Sequence, residues 1–568
     1  MKTWLNKWEP ENEASWKNTE SKIAVKLPKL GLTFSKGQMK TWLDKWEPEN
    51  EASWKNTESK IAWKTLTITT VTLILSFASW FMMSVIAVKL PGLGFAFSKD
   101  QLFWLAAIPG LAAGIFRIIH TFILPIFGTR HVVTFATLIK LIPVVGIAFA
   151  VMDTNTPFWV FAVLAFTTGF GGGDFSSYMP STSLFFPKRL KGTALGIQAG
   201  IGNFGISLAQ FVTPLILSVS IYGTASVFTS IDPKQTLTVF ENSSLEKQKE
   251  VFTALAPEVQ VKILSNVNPQ VIDSVKAATN ATLNVAVFTA LPTKAKAKAI
   301  ANANPKLAEK ILNSIDDENT AVKNKEIYIQ SAAFWLVPFL LLLSLISWLY
   351  LRSIPMKASV KEQLDIFSNK HTWYCTITYV MTFGTFAGLS AAFPLMIKFL
   401  YGDFPNAPDP LVYAFYGPLI GSASRILFGF VADKVGGAIL TTITGIGILA
   451  GATILVTQGL VSPTSMDQFP LFVGVILTMF FFTGVGNAGT FRQFPIIFTD
   501  NQRQAAGVIG WTAAIAAFGP FVFSKLIGNN ISANGSVNQF FIGLIIFTLI
   551  ATSINWWFYN RKNCEKPS

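Results

Sequence analysis

The sequence predicts an all-α integral membrane protein: twelve transmembrane helices in two pseudo-symmetric six-helix halves, plus a small α-helical extracytoplasmic insert. Three observations carry this reading. Hydrophobic residues make up 51% of the 568 and charged residues only 13%, with a mean hydropathy of +0.46, far from the composition of soluble domains. Twelve apolar runs are each long enough to cross a hydrocarbon core that takes about 20 helical residues. Two arginines then fall at equivalent depths in two of those runs.

The runs lie near residues 63–88, 101–124, 131–151, 157–178, 193–220, 332–352, 372–399, 410–432, 438–458, 469–498, 505–528 and 538–559. A chain that threads the bilayer this often is a channel, transporter, sensor or membrane-embedded enzyme. Its basic residues collect in "GTRHVV", "FFPKRLKG", "LRSIPMKASVKEQ", "DKVGG", "DNQRQ" and the tail "NRKNCEKPS". All of these share one side with the N-terminus, so both termini are expected in the cytoplasm and the chain in the cell (plasma or inner) membrane. The net charge of +14 is mostly this topological bias and gives no reason to expect nucleic acid as a partner. Cys375 falls in the seventh run and Cys564 in the tail, so they cannot pair. Two Cys and three His offer no metal-ligand spacing, and no cofactor or metal is expected.

Two segments depart from a twelve-span plan. Residues 1–24 recur at 39–62 with one change, Asn6 to Asp44, and "VKLPKLGLTFSKGQ" at 25–38 tracks "VKLPGLGFAFSKDQ" at 88–101. Residues 1–38 therefore read as a partial duplicate of the N-terminal region with its span cut out. Such a copy is not expected to fold alone; it is a duplication remnant, or Met39 is the true start. With no apolar h-region it is not a signal peptide. Residues 223–330, the extracytoplasmic insert, have no Arg and twelve Lys against eleven acids. Helix starts are legible in "SSLE" at 243–246 and in the Asn-Pro pairs at 268–269 and 304–305. "VFTAL" at 251 and 287 suggests two related units of 36 residues. A surface insertion with no share in the chemistry is the expectation, and its protein partner, if one exists, is not legible. The remaining organisation is a lead-in and spans 1–5 over 39–222, span 6 at 331–352, a cytoplasmic inter-half linker at 353–371, spans 7–12 over 372–560 and a cytoplasmic tail at 561–568.

Arg117 lies 16 residues beyond Gln101, and Arg425 lies 16 beyond Asp409. Superimposed on the arginines, the two segments share Leu111 with Leu419, Ile118 with Ile426, Phe122 with Phe430 and Gly128 with Gly436. That is the trace two related halves leave, and such halves hold a ligand near the midplane at their interface. A charge there costs about 2.5–3.5 kcal/mol even on mild insertion scales, so a symmetric pair calls for a counterpart. An anion serves, and guanidinium forks suit a planar oxyanion by giving two parallel hydrogen bonds. A lone arginine would more simply pair with carbonyls or reach the cytoplasmic edge.

The glycine-rich segments "TGFGGGDFSSYMPSTSLFFP" (168–187) and "TGVGNAGTFRQFPIIF" (483–498) are again counterparts. With "GTALGIQAGIGNFGIS" after the first, they resemble the signature stretches of the nitrate/nitrite porters, the NarK type of the major facilitator superfamily. "KWEPENEASWKNTESKIA" is similar to that family's lead-in. "GFVADKVGG", with Gly429, Asp433 and Gly436, resembles the superfamily's cytoplasmic gating motif. The resemblance covers 39–222 and 331–560 and implies the major facilitator fold, transport of nitrate and/or nitrite, and lipid as the surroundings. It matches the family's paired substrate arginines to Arg117 and Arg425, its aromatics above and below the anion to Phe175 and Phe491, its site tyrosine to Tyr379 and its fifth-helix asparagine to Asn203.

One departure stands out. Many members of that family have Asn where this chain has Asp174. A carboxylate inside the bundle is a candidate for proton coupling, and the competing reading is an ion pair with Lys140, which lies at a similar depth. The resemblance thus implies alternating access as nitrate/proton symport or nitrate/nitrite exchange. The alternatives are transport of another small oxyanion or carboxylate, or a transporter-like nitrate sensor. No nucleophile, base and orienter cluster and no nucleotide loop appears, so an enzyme is not expected.

Overall fold

The computed structural model describes residues 41–266, 281–354, 362, 364–404 and 406–568. The partial duplicate at 1–38, Met39 and the Asn268–Pro269 helix start lie outside them. Among the described residues eleven apolar helical runs are long enough to cross a membrane, and one of these, Lys99–Ala150, has 52 residues and makes two crossings. The reversal is at Gly128, whose backbone takes φ 75°, ψ 163°. The first span is thus Glu51–Leu93, and the second and third lie either side of Gly128. The fourth and fifth are Phe158–Phe185 and Arg189–Ile216, and the sixth is Ser331–Tyr350. The second half holds Lys370–Tyr401, Pro410–Val435, Gly437–Thr457, Met466–Ile497, Gln504–Asn534 and Asn538–Asn560. The fifth span therefore sits a turn earlier than 193–220, because Pro187, in extended conformation, sets its start.

The internal symmetry is written in the backbone. Gly436, which the sequence superposition pairs with Gly128, ends the eighth span at φ 93°, ψ 145°. Both glycines use a left-handed φ that a side chain would strain, and both are followed at once by the next span. At Gly128 space also forbids a side chain, since a Cβ would meet Ser353 Oγ at 2.5 Å and the Trp42 ring at 2.7 Å. On this termini side, Trp54, Phe185, Phe186 and Ala62 form a small cluster against which Trp46 packs, and Trp46 Nε1 donates to the Leu184 carbonyl (3.2 Å). The lead-in is in this way fastened under the fourth span.

The segment between the fifth and sixth spans folds around its own apolar core, which includes Phe240, Phe252, Phe288, Ile300 and Leu312. Phe252 and Phe288, the second residues of the two "VFTAL" copies, stack face to face at 3.9 Å. Asn304 caps the helix Pro305–Ile315 by accepting from Lys306 N, with Pro at the first position. In "SSLE" the cap is Ser244, accepting from Lys247 N, so the box predicted from Ser243 and Glu246 does not form. The insert is also not purely helical: β1 (Ser226–Ile231) pairs antiparallel with β2 (Val322–Ile327), Ser226 opposite Ile327, and closes its base.

Candidate functional site

The glycine run of the fourth span sets the position of Arg117. A Cβ on Gly172 would lie 2.4 Å from Ala113 Cβ of the second span, so only glycine allows this approach. The approach brings the Gly172 carbonyl to Arg117 Nε at 2.6 Å. Arg117 Nη1 donates across the molecule to the Ala513 carbonyl of the eleventh span (2.8 Å). The tenth span repeats the device, for a Cβ on Gly484 would meet the Gly421 carbonyl of the eighth span at 2.2 Å. Arg425 rides on that eighth span, and both arginines are 1% exposed or less.

Four rings box the Arg117 guanidinium: Phe175 at 4.9 Å, Phe383 at 5.1 Å, Trp80 at 5.2 Å and Phe77 at 5.8 Å. Arg425 lies 4.6 Å from Phe491 and 6.0 Å from Phe175. Phe175 is the ring both share. Aromatic faces and two carbonyls are what hold Arg117 in a low dielectric. They do not satisfy it fully, because Arg117 Nη2 and both Arg425 Nη atoms make no hydrogen bond to any described residue.

Tyr379 is fully buried beside Arg425, although its hydroxyl is outside hydrogen-bonding geometry. It precedes a π-helical turn, Val380–Gly384, and stacks on Phe383 at 5.4 Å and 7°. Phe175 and Phe491, expected to face each other across the anion, instead meet edge to face at 78°. The ring nearly parallel to Phe175 is Phe383, at 5.9 Å and 21°. Phe383 was not singled out in the sequence, and its only signal there is lying one turn after Tyr379. Asn203 is buried, and neither amide atom finds a partner among the described residues. Asn487 of the tenth span, also missed, is equally buried and unpartnered. It lines a cavity of about 20 Å³ with Arg425, Phe491, Arg492, Asp433 and Gly429.

The lining runs from Arg425 along the eighth span toward its termini-side end at Asp433. There Asp433 of the Gly429–Gly436 motif lies 2.7 Å from Arg492 Nε, tying the eighth span to the tenth. Asp174 interrupts the fourth span between Phe158–Gly173 and Phe175–Phe185. Its Oδ2 lies 2.5 Å from Lys140 Nζ and accepts from Ser76 Oγ (2.6 Å), and both charged side chains are wholly buried. Among the described residues no cluster of His, Cys, Asp and Glu could hold a metal.

Twelve spans in two related halves, with charged and polar groups converging at the midplane seam, define a secondary transporter of the major facilitator fold. Solved structures agree on the fold at 14% identity and a TM-score of 0.50. One is a bacterial homologue of the human lysosomal transporter Spinster (87% of this chain, 96% of that one), another the proton:xylose symporter XylE (90% and 98%). No family model matches the chain. It is 46% identical over 505 residues to the probable nitrate/nitrite antiporter NarK2 of Thermus thermophilus, covering 89% of this chain and 94% of that protein. It is 29% identical to the nitrate/nitrite transporter NarU of Escherichia coli, covering 98% and 96%. The chain belongs to the NarK-type nitrate/nitrite transporter family.

Proposed function

We propose that the protein exchanges nitrate and nitrite across the cell membrane by alternating access, with its termini in the cytoplasm. The observation that carries this is the convergence of three buried guanidinium nitrogens, Arg117 Nη2 and Arg425 Nη1 and Nη2, at the ring of Phe175. A planar monoanion bound there receives charge-assisted hydrogen bonds from both halves at once. Phe175 forms its floor, Phe383 and Phe491 its flanks, and Tyr379 and Asn203 its neutral donors. Nitrate and nitrite both offer the two oxygens this fork requires. The names of the relatives point to the same substrates.

Exchange, rather than net uptake, follows from the charge count. When the anion leaves, two like charges face each other in a low dielectric. A free carboxylate could offset one of them, but Asp174 is engaged by Lys140 and Ser76. The Arg117 bond to the Ala513 carbonyl also ties the halves together when no anion competes for the guanidinium. Proton coupling through Asp174 is the second reading, favoured by one observation: Asp174 Oδ1 makes no hydrogen bond to a described residue.

Isotopic nitrate flux into proteoliposomes decides among these. Exchange requires nitrite or nitrate inside the vesicle and ignores an imposed pH gradient. Uptake into anion-free vesicles driven by that gradient would replace it with symport, and binding without flux would make the protein a sensor.

A further inference from the structure

The insert joins the spans through the first half, and its anchors lie mostly there. The Phe228 ring of β1 covers Gly92 of the first span, where a Cβ would meet it at 2.3 Å. Asn304 Nδ2 donates to the Phe95 carbonyl in the turn after that span (3.0 Å). Gln330 Nε2 binds the carbonyls of Tyr222 and Thr224, closing the base (2.7 and 3.0 Å). One contact breaks this pattern. Asn302 Nδ2 donates to Asp403 Oδ2 at 2.9 Å, and Lys298 Nζ lies 3.9 Å from the same oxygen. Lys298 and Asn302 are one turn apart at the end of the helix Thr293–Ala301, whereas Asp403 follows the seventh span, in the other half.

The contact sits above a closed seam. Lys89 pairs with Asp409 (2.8 Å), Lys525 with Asp100 (2.7 Å), and Lys398 Nζ donates to the Val88 carbonyl (2.6 Å), each link joining the two halves at the insert side. Deeper along the same seam, Gln210 Nε2 donates to the Ser390 carbonyl (3.0 Å). When one half rocks against the other to open this side, all these links must part, since a hydrogen bond at 3 Å cannot stretch by several ångströms.

We infer that the insert is a strap across the outer mouth, held on the first half and hooked to Asp403 on the second, which favours the outward-closed arrangement. It rests on the alternating access proposed above, not on the identity of the anion. The hook is partly exposed, with Asp403 33% and Lys298 56% accessible, so it biases the equilibrium and does not lock it. A strap of this kind slows the outward-opening step and leaves the contacts of the bound anion untouched.

The test uses the full chain in proteoliposomes with Cys564→Ser. Ser390 is 1% exposed beneath the outer links, and Ser390→Cys puts a thiol there that a maleimide reaches from the insert side only when that mouth opens. Adding Asp403→Ala should raise its labelling rate several-fold, and deleting 226–327 behind a short linker should do the same. A separate Asn302→Cys, Asp403→Cys variant, bridged by a short bifunctional thiol reagent that reducing agent reverses, should lose exchange and regain it on reduction. Unchanged labelling in Asp403→Ala, full exchange in the bridged protein, or failure to bridge two thiols that each react singly would overturn the strap. Labelling needs no substrate, so loss of the nitrate reading, seen as absent wild-type flux, is read separately.

Discussion

At the scale of single residues, the site separates charge from geometry. Arg117→Lys and Arg425→Lys retain a cation but lose the fork, and at Arg117 also the fixed bonds to the Gly172 and Ala513 carbonyls. Losing one charge-assisted hydrogen bond costs about 1.5–3 kcal/mol, so nitrate exchange should fall by about one to two orders of magnitude in each variant with normal insertion. Flux in vesicles checks this, and near-normal exchange by either would remove the two-arginine site. Asp174→Asn tests the other buried charge. It leaves Lys140, beside the Ala136 carbonyl, without its counter-charge, and an uncompensated buried charge costs about 3–5 kcal/mol. Thermal unfolding in detergent should drop sharply, and Asp174→Asn combined with Lys140→Met should recover most of the loss. If the single variant is as stable as wild type, the pair is not structural and the proton-coupling reading gains.

Among the elements, the two reversals differ from ordinary glycine positions. Gly128→Ala meets both a left-handed φ and the Ser353 and Trp42 side chains, Gly436→Ala the φ alone, while a Cβ on Gly429 would meet nothing within 4 Å. A non-glycine residue at positive φ with extended ψ costs about 1–3 kcal/mol. The melting temperature should therefore fall most for Gly128→Ala, less for Gly436→Ala and hardly at all for Gly429→Ala. In the insert, Glu309 and Asp232 are both bonded to the β1–β2 ladder, Glu309 through Thr229 and Asn324 and Asp232 through Lys323. Burial alone would raise both carboxyls, but Asn324, Lys306 and Thr229 donate to Glu309, and Lys323 with the Gln235 and Lys234 amides to Asp232. Both are held below their ordinary values. Their contribution is complete above the unfolded carboxyl range, about pH 4, and is lost as pH falls through the lower folded values. Hydrogen exchange of the whole protein should show the strands losing protection in acid before the spans do.

What could be read beforehand follows from the same physics. Apolar runs of 20 residues announce themselves, and equal spacing revealed the arginine pair and the Gly128–Gly436 match. The depth of Lys140 made its meeting with Asp174 a stated alternative. The strands were not legible because "VKNKEI" carries no apolar alternation and its partner lies almost a whole insert away. Phe383 escaped because a π-helical turn, invisible in composition, decides which rings of the seventh span face Phe175.

For the whole molecule, the Lys140–Asp174 pair has a consequence in electrical terms. A pair that is neutral and wholly buried adds nothing to the charge the carrier moves, so under the proposed exchange the translocating charge is that of two fixed guanidiniums and one anion. Nitrate travelling one way and nitrite the other present the membrane field with the same sum. A unit charge crossing the bilayer is worth about 2.3 kcal/mol per 100 mV, yet under one-for-one exchange the two journeys cancel. Exchange in vesicles clamped by a potassium diffusion potential should therefore reach the same final distribution of nitrate and nitrite at either polarity. A final distribution that shifts with the voltage would mean that a proton or an uncompensated anion moves as well. A cell relying on an electroneutral swap can keep it running when respiration, and with it the membrane potential, fails.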